Sequence, residues 1–187
     1  MPQLTIDHLQ KYSKAYAFVE SGTYEGDTVK AALEYNFKHI HSIEIEPNLF
    51  KAAVEKFKDE PTVKIWQGDS PDVIRENIIM TLEKPSTFWL DAHRSWALQT
   101  PGSDKYGACP LLHELDAIAK SPIKNHVIIA DDVRLFDTIG WDFLKKEHYI
   151  EKLMQINPNY VIEYLDGGFS FGRQFPPNDI MVAYVPD

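Results

Sequence analysis

Short apolar, β-branched segments alternate with helix-like segments along most of this 187-residue chain. Seven segments have the length and residue types of strands: Ala15–Glu20, His39–Ile45, Thr62–Gln67, Ser86–Asp91, His126–Ala130, Tyr160–Leu165 and Asp179–Val185. Helix-like segments lie between them: Thr28–Glu34, Leu49–Phe57, Ser70–Glu83, Leu111–Ala119 and Gly140–Met154. This alternation predicts an α/β fold, a doubly wound, Rossmann-like sheet of seven mostly parallel strands. Because only a loop joins the last two strands, we expect the C-terminal strand to be antiparallel.

The length and composition fit one globular domain, which we expect to comprise residues 1–187. The net charge of -9 argues against a nucleic-acid partner, because phosphates require Lys and Arg. The N-terminal segment does not read as a signal peptide, and no apolar run approaches the roughly 20 residues that span a bilayer, so no membrane partner is expected. The single cysteine, Cys109, cannot form an intramolecular disulfide, which favours a cytoplasmic location. The oligomeric state is left open, and a homodimer is one of the states allowed.

Acidic side chains follow five consecutive predicted strands. They are Glu20, Glu44, Asp69, Asp91 and the pair Asp131-Asp132. In an open α/β sheet, ligands bind at the carboxyl ends of the strands, where these residues would gather. The acids therefore indicate a ligand that is neutral, cationic or bound through a metal.

The segment FVESGTYEGDTV, residues 18–29, connects the first strand to a helix through a turn that contains Gly22 and Gly26. Such a turn lets the backbone approach a ligand, although glycines also serve purely structural roles there. Glu44 follows about 20 residues after the turn. At this sequence spacing, nucleotide-binding folds carry a carboxylate that accepts hydrogen bonds from the hydroxyls of a ribose. Three acids in the turn disfavour a pyrophosphate: Glu20, Glu25 and Asp27. S-adenosylmethionine (SAM) fits better, because it has a ribose, an adenine and two positive groups but no phosphate.

Asp69 and Ser70 follow the third strand, where they could reach the adenine of SAM. The alternative is that they cap the helix that begins at Pro71, and one side chain can serve both purposes.

Asp91, Asp131 and Asp132 end two strands that should be neighbours, so their carboxylates are expected to converge. A hard divalent cation would relieve the repulsion between them, and Mg²⁺ is the first choice, with Mn²⁺ or Ca²⁺ as alternatives. The competing interpretation is that Asp131 and Asp132 only cap the following turn.

Five motifs of this chain resemble those of class I SAM-dependent methyltransferases and occur in the same order. They are SGTYEGDTV, SIEIEP, QGDSPDVI, FWLDAHR and VIIADDV, between Phe18 and Val133. The resemblance is strongest to the metal-dependent O-methyltransferases of the catechol and caffeoyl-CoA type and to related enzymes that methylate sugars. It implies methyl transfer from SAM to a hydroxyl group, with a metal bound by the three aspartates.

The resemblance also implies roles for individual residues near the cofactor. Gly22 and Tyr24 would line the methionine part of SAM, and Thr28 would hold its carboxylate. Glu44 would bind the ribose, and Ser70 would lie at the adenine. From their positions in the turn and after the third strand, Glu20, Gly26 and Asp69 complete the predicted cofactor site.

The base that removes the hydroxyl proton departs from the catechol-type pattern. Those enzymes carry a lysine three residues after the metal-binding aspartate, and this chain has Arg94 there. Arginine stays protonated, so it cannot act as a base. His93 has a suitable pKa, although a histidine at a strand end can also be purely structural. Asp91 is the other catalytic candidate.

Acceptor binding is expected to fall to two long loops, residues 94–110 and 166–179, whose aromatic side chains suit stacking on a sugar or aromatic ring. These side chains are Trp96, Tyr106, Phe169 and Phe171. The expected partner is a small-molecule or glycan hydroxyl acceptor. The alternatives are a metal-independent methyltransferase and a SAM-binding module without catalysis. A metal-dependent hydrolase ranks last, because it gives Gly22, Glu44 and Ser70 no role.

Overall fold

The computed structural model describes residues 4–95, 100–167, 169–170, 173–174 and 176–186. Its helices are α1 Ile6–Tyr12, α2 Asp27–Tyr35, α3 Pro47–Lys56, α4 Ser70–Val73, α5 Leu111–Ile118 and α6 Lys146–Ile156. Its strands are β1 Ala17–Ser21, β2 His39–Glu44, β3 Val63–Gln67, β4 Thr87–Leu90, β5 Val127–Ala130, β6 Val161–Leu165, β7 Phe169–Ser170, β8 Arg173–Gln174 and β9 Ile180–Tyr184. All seven predicted long strands are present, to within two residues at each end.

The long strands form a single sheet in the order β3-β2-β1-β4-β5-β9-β6. The five strands from β3 to β5 are parallel, and β9 pairs antiparallel with both β5 and β6. The strand order reverses between β1 and β4, which are neighbours, and this is where ligands bind in such sheets. The predicted fold class is confirmed.

Two apolar cores cover the two faces of the sheet. Side chains alternate along β1: Ala17 and Val19 join one core, and Phe18 joins the other. Helices α4, α5 and α6 pack on the first face, and α1 and α2 pack on the second. Burial on both faces explains why β1, β4 and β5 read as nearly continuous apolar runs.

Two helical segments differ from the sequence prediction. The helix predicted from Gly140 begins at Lys146, because the chain first makes a 3₁₀ turn at Ile139–Trp141 and positive φ angles at Asp142 and Phe143. The segment predicted as one helix from Ser70 forms an α-helical turn, then a π-helical turn and a 3₁₀ turn that ends at Thr81. Helix α1, which the sequence analysis did not identify, has a capping box formed by Thr5 and His8.

Within the described residues, every helix is too short or too polar to traverse a lipid bilayer.

Strands β7 and β8 pair antiparallel with each other and form a separate two-stranded sheet.

Candidate functional site

The glycine turn after β1 has the backbone geometry that its sequence predicts. Gly22 and Gly26 have φ angles of 86° and 74°, in the left-handed region where a side chain is strained. A Cβ at Gly22 would lie 3.0 Å from the carbonyl oxygen of Asp91. Gly22 and Thr23 donate backbone hydrogen bonds to the carbonyl of Ile43. The turn is therefore fixed between the ends of β2 and β4.

Glu20 lies near the end of β1, just before this turn, and is buried. Its carboxylate accepts a hydrogen bond from Ser42 Oγ and interacts with the hydroxyl of Thr28. The Ser42 hydroxyl is in turn 2.6 Å from Thr23 Oγ1. Burial raises the pKa of Glu20 to about 8. The structure thus places Glu20 and Thr28, both predicted to contact the cofactor, in one hydrogen-bonded network below the turn.

Glu44, at the end of β2, is held by the backbone on both of its carboxylate oxygens. Oε2 accepts from the N–H of Tyr24 at 2.8 Å, and Oε1 accepts from the N–H of Glu46 at 2.9 Å. Tyr24 has a positive φ of 46°, in the same turn as Gly22 and Gly26. The carboxylate also interacts with the N–H of Ile45. Because an ionised carboxylate has about four lone-pair sites, it can still accept a hydrogen bond from a ribose hydroxyl.

The residues that follow β3 contact helix α5. Ser70 Oγ donates a 2.5 Å hydrogen bond to Glu114 Oε1, and both side chains are buried. Asp69 stands at the N-cap position of α4 but makes no side-chain capping bond, and its buried Oδ1 has no hydrogen-bond partner among the described residues. Capping, the alternative role considered for Asp69, is therefore not what its side chain does.

Asp91 follows β4, and its backbone N–H lies 3.2 Å from both the carbonyl oxygen and the hydroxyl of Ser21. Its side chain is 31% exposed, whereas that of Asp132 is 9% exposed. Burial and the neighbouring Asp131 and Asp132 raise the pKa of Asp91 well above its usual value. Asp91 is therefore more accessible than Asp132, and its raised pKa makes it more basic than an ordinary aspartate.

His93 lies between two aspartates. Its Nε2 is 3.3 Å from Asp132 Oδ2, and its Nδ1 is 3.6 Å from Asp91 Oδ1 and 3.2 Å from the Asp91 carbonyl oxygen. Burial lowers the pKa of His93, and the charge of Asp132 opposes this effect. The ring also lies 5.9 Å from that of Trp141. The two predicted catalytic residues, Asp91 and His93, are thus in one cluster with Asp132.

Asp131 is not part of that cluster. Its Oδ1 accepts a 2.7 Å hydrogen bond from the N–H of Asp132, and it groups with Asp132 and Asp179. Arg134 enters this second group: its Nη1 lies 2.5 Å from Asp132 Oδ1 and also contacts Asp179 Oδ2. Burial and Asp132 raise the pKa of Asp131.

The described part of the loop at residues 94–110 contacts α4 and the segment that follows β5. Tyr106 Oη donates to Asp72 Oδ1 at 2.6 Å, and Lys105 Nζ lies 2.7 Å from Asp72 Oδ2. The N–H of Ala108 donates to Asp142 at 2.6 Å. Of the aromatic residues expected to bind the acceptor, Trp96 and Phe171 lie outside the described residues, as does the side chain of Phe169. Tyr106 is engaged with Asp72.

The residues near the glycine turn fit SAM by three structural tests. The backbone holds the Glu44 carboxylate and leaves it able to accept a further hydrogen bond. Asp69 Oδ1 is a buried acceptor without a partner among the described residues, and the close approach at Gly22 excludes a side chain.

The donor set at the strand ends fits a divalent cation at one of two places. Ligand atoms of Asp91, His93 and Asp132 lie within 4.8 Å of one another. Those of Asp131, Asp132 and Asp179 do so as well, but Arg134 contacts two of these three carboxylates and only one residue, Asp132, of the first group. The geometry thus favours Asp91 and Asp132, rather than Asp131, as metal ligands.

Sequence reasoning missed Glu114, Asp179 and the contacts of Arg134 with Asp132 and Asp179. Glu114 sits in a predicted helix, and Asp179 sits in the loop before the last strand. Each reaches the site through tertiary packing, so no local motif marks it.

Comparison with known proteins shows the fold. No protein-family model and no curated protein matches the sequence. A Staphylococcus aureus protein assigned as a caffeoyl-CoA O-methyltransferase matches with a TM-score of 0.58 and 14% identity over 97% of this chain and 80% of that chain. Spermidine synthase from Thermotoga maritima matches with a TM-score of 0.60 and 14% identity over 91% of this chain and 54% of that one.

A third similar structure is the Podospora anserina methyltransferase PaMTH1, bound to S-adenosylhomocysteine (SAH). Its TM-score is 0.53, with 20% identity over 91% of this chain and 72% of that chain. At these identities the similarity concerns the fold, which methyltransferases share with a spermidine synthase. The fold alone therefore does not fix the reaction.

Proposed function

We propose that this protein transfers the methyl group of SAM to a hydroxyl oxygen of a small-molecule or glycan acceptor. The observation that carries the proposal is the arrangement at the carboxyl edge of the sheet. The glycine turn and the Glu44 carboxylate stand beside the cluster of Asp91, His93 and Asp132. A fold shared with an SAH-bound methyltransferase supports the choice of cofactor.

In the proposed reaction, the acceptor oxygen attacks the methyl carbon of SAM. The oxygen–methyl bond forms, the sulfur–methyl bond breaks, and the sulfonium becomes the neutral thioether of SAH. The hydroxyl proton passes to the pair formed by Asp91 and His93. Asp132 orients the ring of His93 through its contact with Nε2, and Arg134 holds Asp132 from the other side. Positioning and electrostatics would supply most of the rate enhancement.

A divalent cation, with Mg²⁺ as first candidate, is the second part of the proposal. Asp91 and Asp132 would hold it, because Mg²⁺ needs only one or two carboxylates besides water and substrate oxygens. When bound, it would lower the pKa of the acceptor hydroxyl. His93 would then receive the proton, whereas Asp91 is available for this role if no metal is needed.

The acceptor is proposed to lie beside Trp141. Two exposed apolar side chains flank this buried tryptophan: Ile139 is 77% exposed, and Phe143 is 60% exposed. The acceptor is placed here because Ile139 and Phe143 are each two residues from Trp141 in the chain, and the ring of Trp141 lies 5.9 Å from that of His93. Exposed apolar side chains of this kind suit the apolar face of a sugar or an aromatic ring. The net charge of -9 makes nucleic acid a poor acceptor.

Calorimetric titration with SAH tests the cofactor site. We expect the wild type to bind SAH, and Glu44→Ala to weaken binding by about 10- to 100-fold, because a charged hydrogen-bond acceptor is lost. Glu83→Ala, which removes an exposed carboxylate remote from the turn, should bind like the wild type. A wild type that does not bind SAH would refute the proposal.

Methyl transfer from radiolabelled SAM to a panel of hydroxyl acceptors then tests the chemistry. We expect Asp91→Asn and His93→Gln each to lower turnover by about 100-fold or more while SAH binding persists. Loss of turnover on adding EDTA, restored by Mg²⁺, would support the metal. Turnover that survives EDTA would favour the metal-independent enzyme, and binding without turnover on any acceptor would favour a SAM-binding module.

A further inference from the structure

Glu114 is a buried carboxylate that the proposed reaction does not use. It lies on α5 with no exposed surface, and its Oε1 accepts the 2.5 Å hydrogen bond from Ser70 Oγ. The same carboxylate interacts with Ser21, at the end of β1. Glu114 therefore contacts the carboxyl edge of the sheet at two points. One is the end of β1, where the glycine turn begins, and the other is the segment that follows β3.

The bond from Ser70 to Glu114 fixes the polarity of the serine hydroxyl. A serine hydroxyl has one hydrogen and two acceptor lone pairs. Because the hydrogen of Ser70 is donated to Glu114, the hydroxyl can only accept a hydrogen bond from any ligand. The neighbouring Asp69 Oδ1, buried and without a partner among the described residues, is also an acceptor. A ligand group that meets both must therefore be a hydrogen-bond donor.

At its 6 position, a purine offers a hydrogen-bond donor only when it carries an exocyclic amino group. The 6-amino group of adenine carries two N–H bonds, whereas a 6-oxo purine presents a carbonyl oxygen at the same place. Two acceptors opposite that oxygen would leave buried polar groups unpaired and repelling one another, which costs binding free energy.

We propose that Glu114 is a positioning residue that holds Ser70 as a hydrogen-bond acceptor and so makes the cofactor site selective for a 6-amino purine over a 6-oxo purine. The inference rests on the proposed function, because it takes Ser70 to lie at the adenine.

The test compares SAH with its deaminated analogue, S-inosylhomocysteine, by calorimetry. We expect the wild type to prefer SAH by about 10- to 100-fold, since the mismatch leaves buried acceptors unpaired. In Glu114→Gln, the side-chain amide can donate to Ser70 and release the serine hydrogen toward the ligand. The preference should therefore fall to about threefold or less, mainly through tighter binding of the analogue. Measurements at pH 8.5 keep Glu114 ionised, because burial raises its pKa to about 7.

Two further variants separate this role from a structural one. Ser70→Ala removes the hydroxyl itself, so SAH binding should weaken and the preference should shrink. Glu83→Gln, the same change at an exposed site, should keep the wild-type preference. A folded Glu114→Gln with an unchanged preference would overturn the proposal, and so would an unchanged preference in Ser70→Ala if Glu114→Gln does not fold.

Binding by the wild type separates a failure of the role proposed for Glu114 from a failure of the proposed function. If it binds SAH and the deaminated analogue equally well, the role of Glu114 is refuted while the cofactor site stands. If it binds neither, the proposed function fails, and the selectivity fails with it.

Discussion

Gly26 ends the glycine turn in a conformation and a space that admit no side chain. Its φ is 74°, and a Cβ there would lie 2.6 Å from Cε2 of the buried Phe57. We expect Gly26→Ala to lower the free energy of unfolding by about 2–4 kcal/mol, from the strained φ and from overpacking together. Urea denaturation, with the m-value compared between variants, measures this change.

Gly140→Ala is the matched control for this substitution. Gly140 does not have a positive φ, and its Cβ would meet only Thr138 Oγ1, at an ordinary 3.5 Å. The change there should stay within about 0.5 kcal/mol. If Gly26→Ala were as stable as Gly140→Ala, the turn geometry given above would be wrong.

Individual site residues could be predicted where a local pattern places them. Glu44 and Asp91 end parallel strands, and such ends meet at one edge of a sheet whatever the rest of the chain does. The orientation of a side chain is not local. Asp131 follows β5 as predicted, but its carboxylate groups with those of Asp132 and Asp179. Arg134 binds Asp179 through both its backbone N–H and its guanidinium, which stabilises this arrangement. No spacing in the sequence indicates the contact between Arg134 and Asp179, which lie 45 positions apart.

At the scale of elements, His126 joins the start of β5 to the start of β4. Its Nδ1 accepts from the N–H of Ser86 at 3.1 Å, and its Nε2 lies 2.9 Å from Ser121 Oγ. The ring also packs edge-on against Phe88. Burial lowers the pKa of His126 to about 4. Protonation would place a charge inside the sheet, so this junction should be sensitive to acid.

The sign of the effect follows from the two pKa values. The unfolded chain takes up a proton near pH 6.5 and the folded chain only near pH 4, so the unfolded state binds more protons between these values. The free energy of unfolding should therefore fall as pH falls from 6.5 to 4. We expect His126→Gln to lose about 1–2 kcal/mol less than the wild type between pH 7 and pH 5, measured by urea denaturation. Equal losses in both proteins would contradict this role.

Strands were easier to predict than helices in this chain. Strands β1, β2, β4, β5 and β9 are short runs whose side chains are largely buried, so their composition and their environment agree. The segment after residue 139 is different, because its helical pattern includes Gly140 and Trp141. Trp141 is buried in a 3₁₀ turn against Phe136, and the helix starts only at Lys146. Tertiary packing of one large side chain overrode the local preference there.

The molecule as a whole consists of two apolar layers separated by the sheet. Ile40 belongs to the core beneath α1 and α2, and Ile78 belongs to the core beneath α4, α5 and α6. Both side chains are completely buried. Since a layer of backbone lies between the two cores, a small cavity on one face should not relax into the other.

We therefore expect Ile40→Val and Ile78→Val each to cost about 0.5–1.5 kcal/mol in the free energy of unfolding, and the double variant to cost their sum to within about 0.5 kcal/mol. Ile74→Val combined with Ile78→Val is the same-face comparison, because both residues lie in one core and one helical segment, where cavities can share their relaxation. Urea denaturation of the three single and two double variants gives both coupling energies. A cross-face coupling as large as the same-face coupling would mean that the sheet transmits packing changes between its two sides and that the two cores act as one.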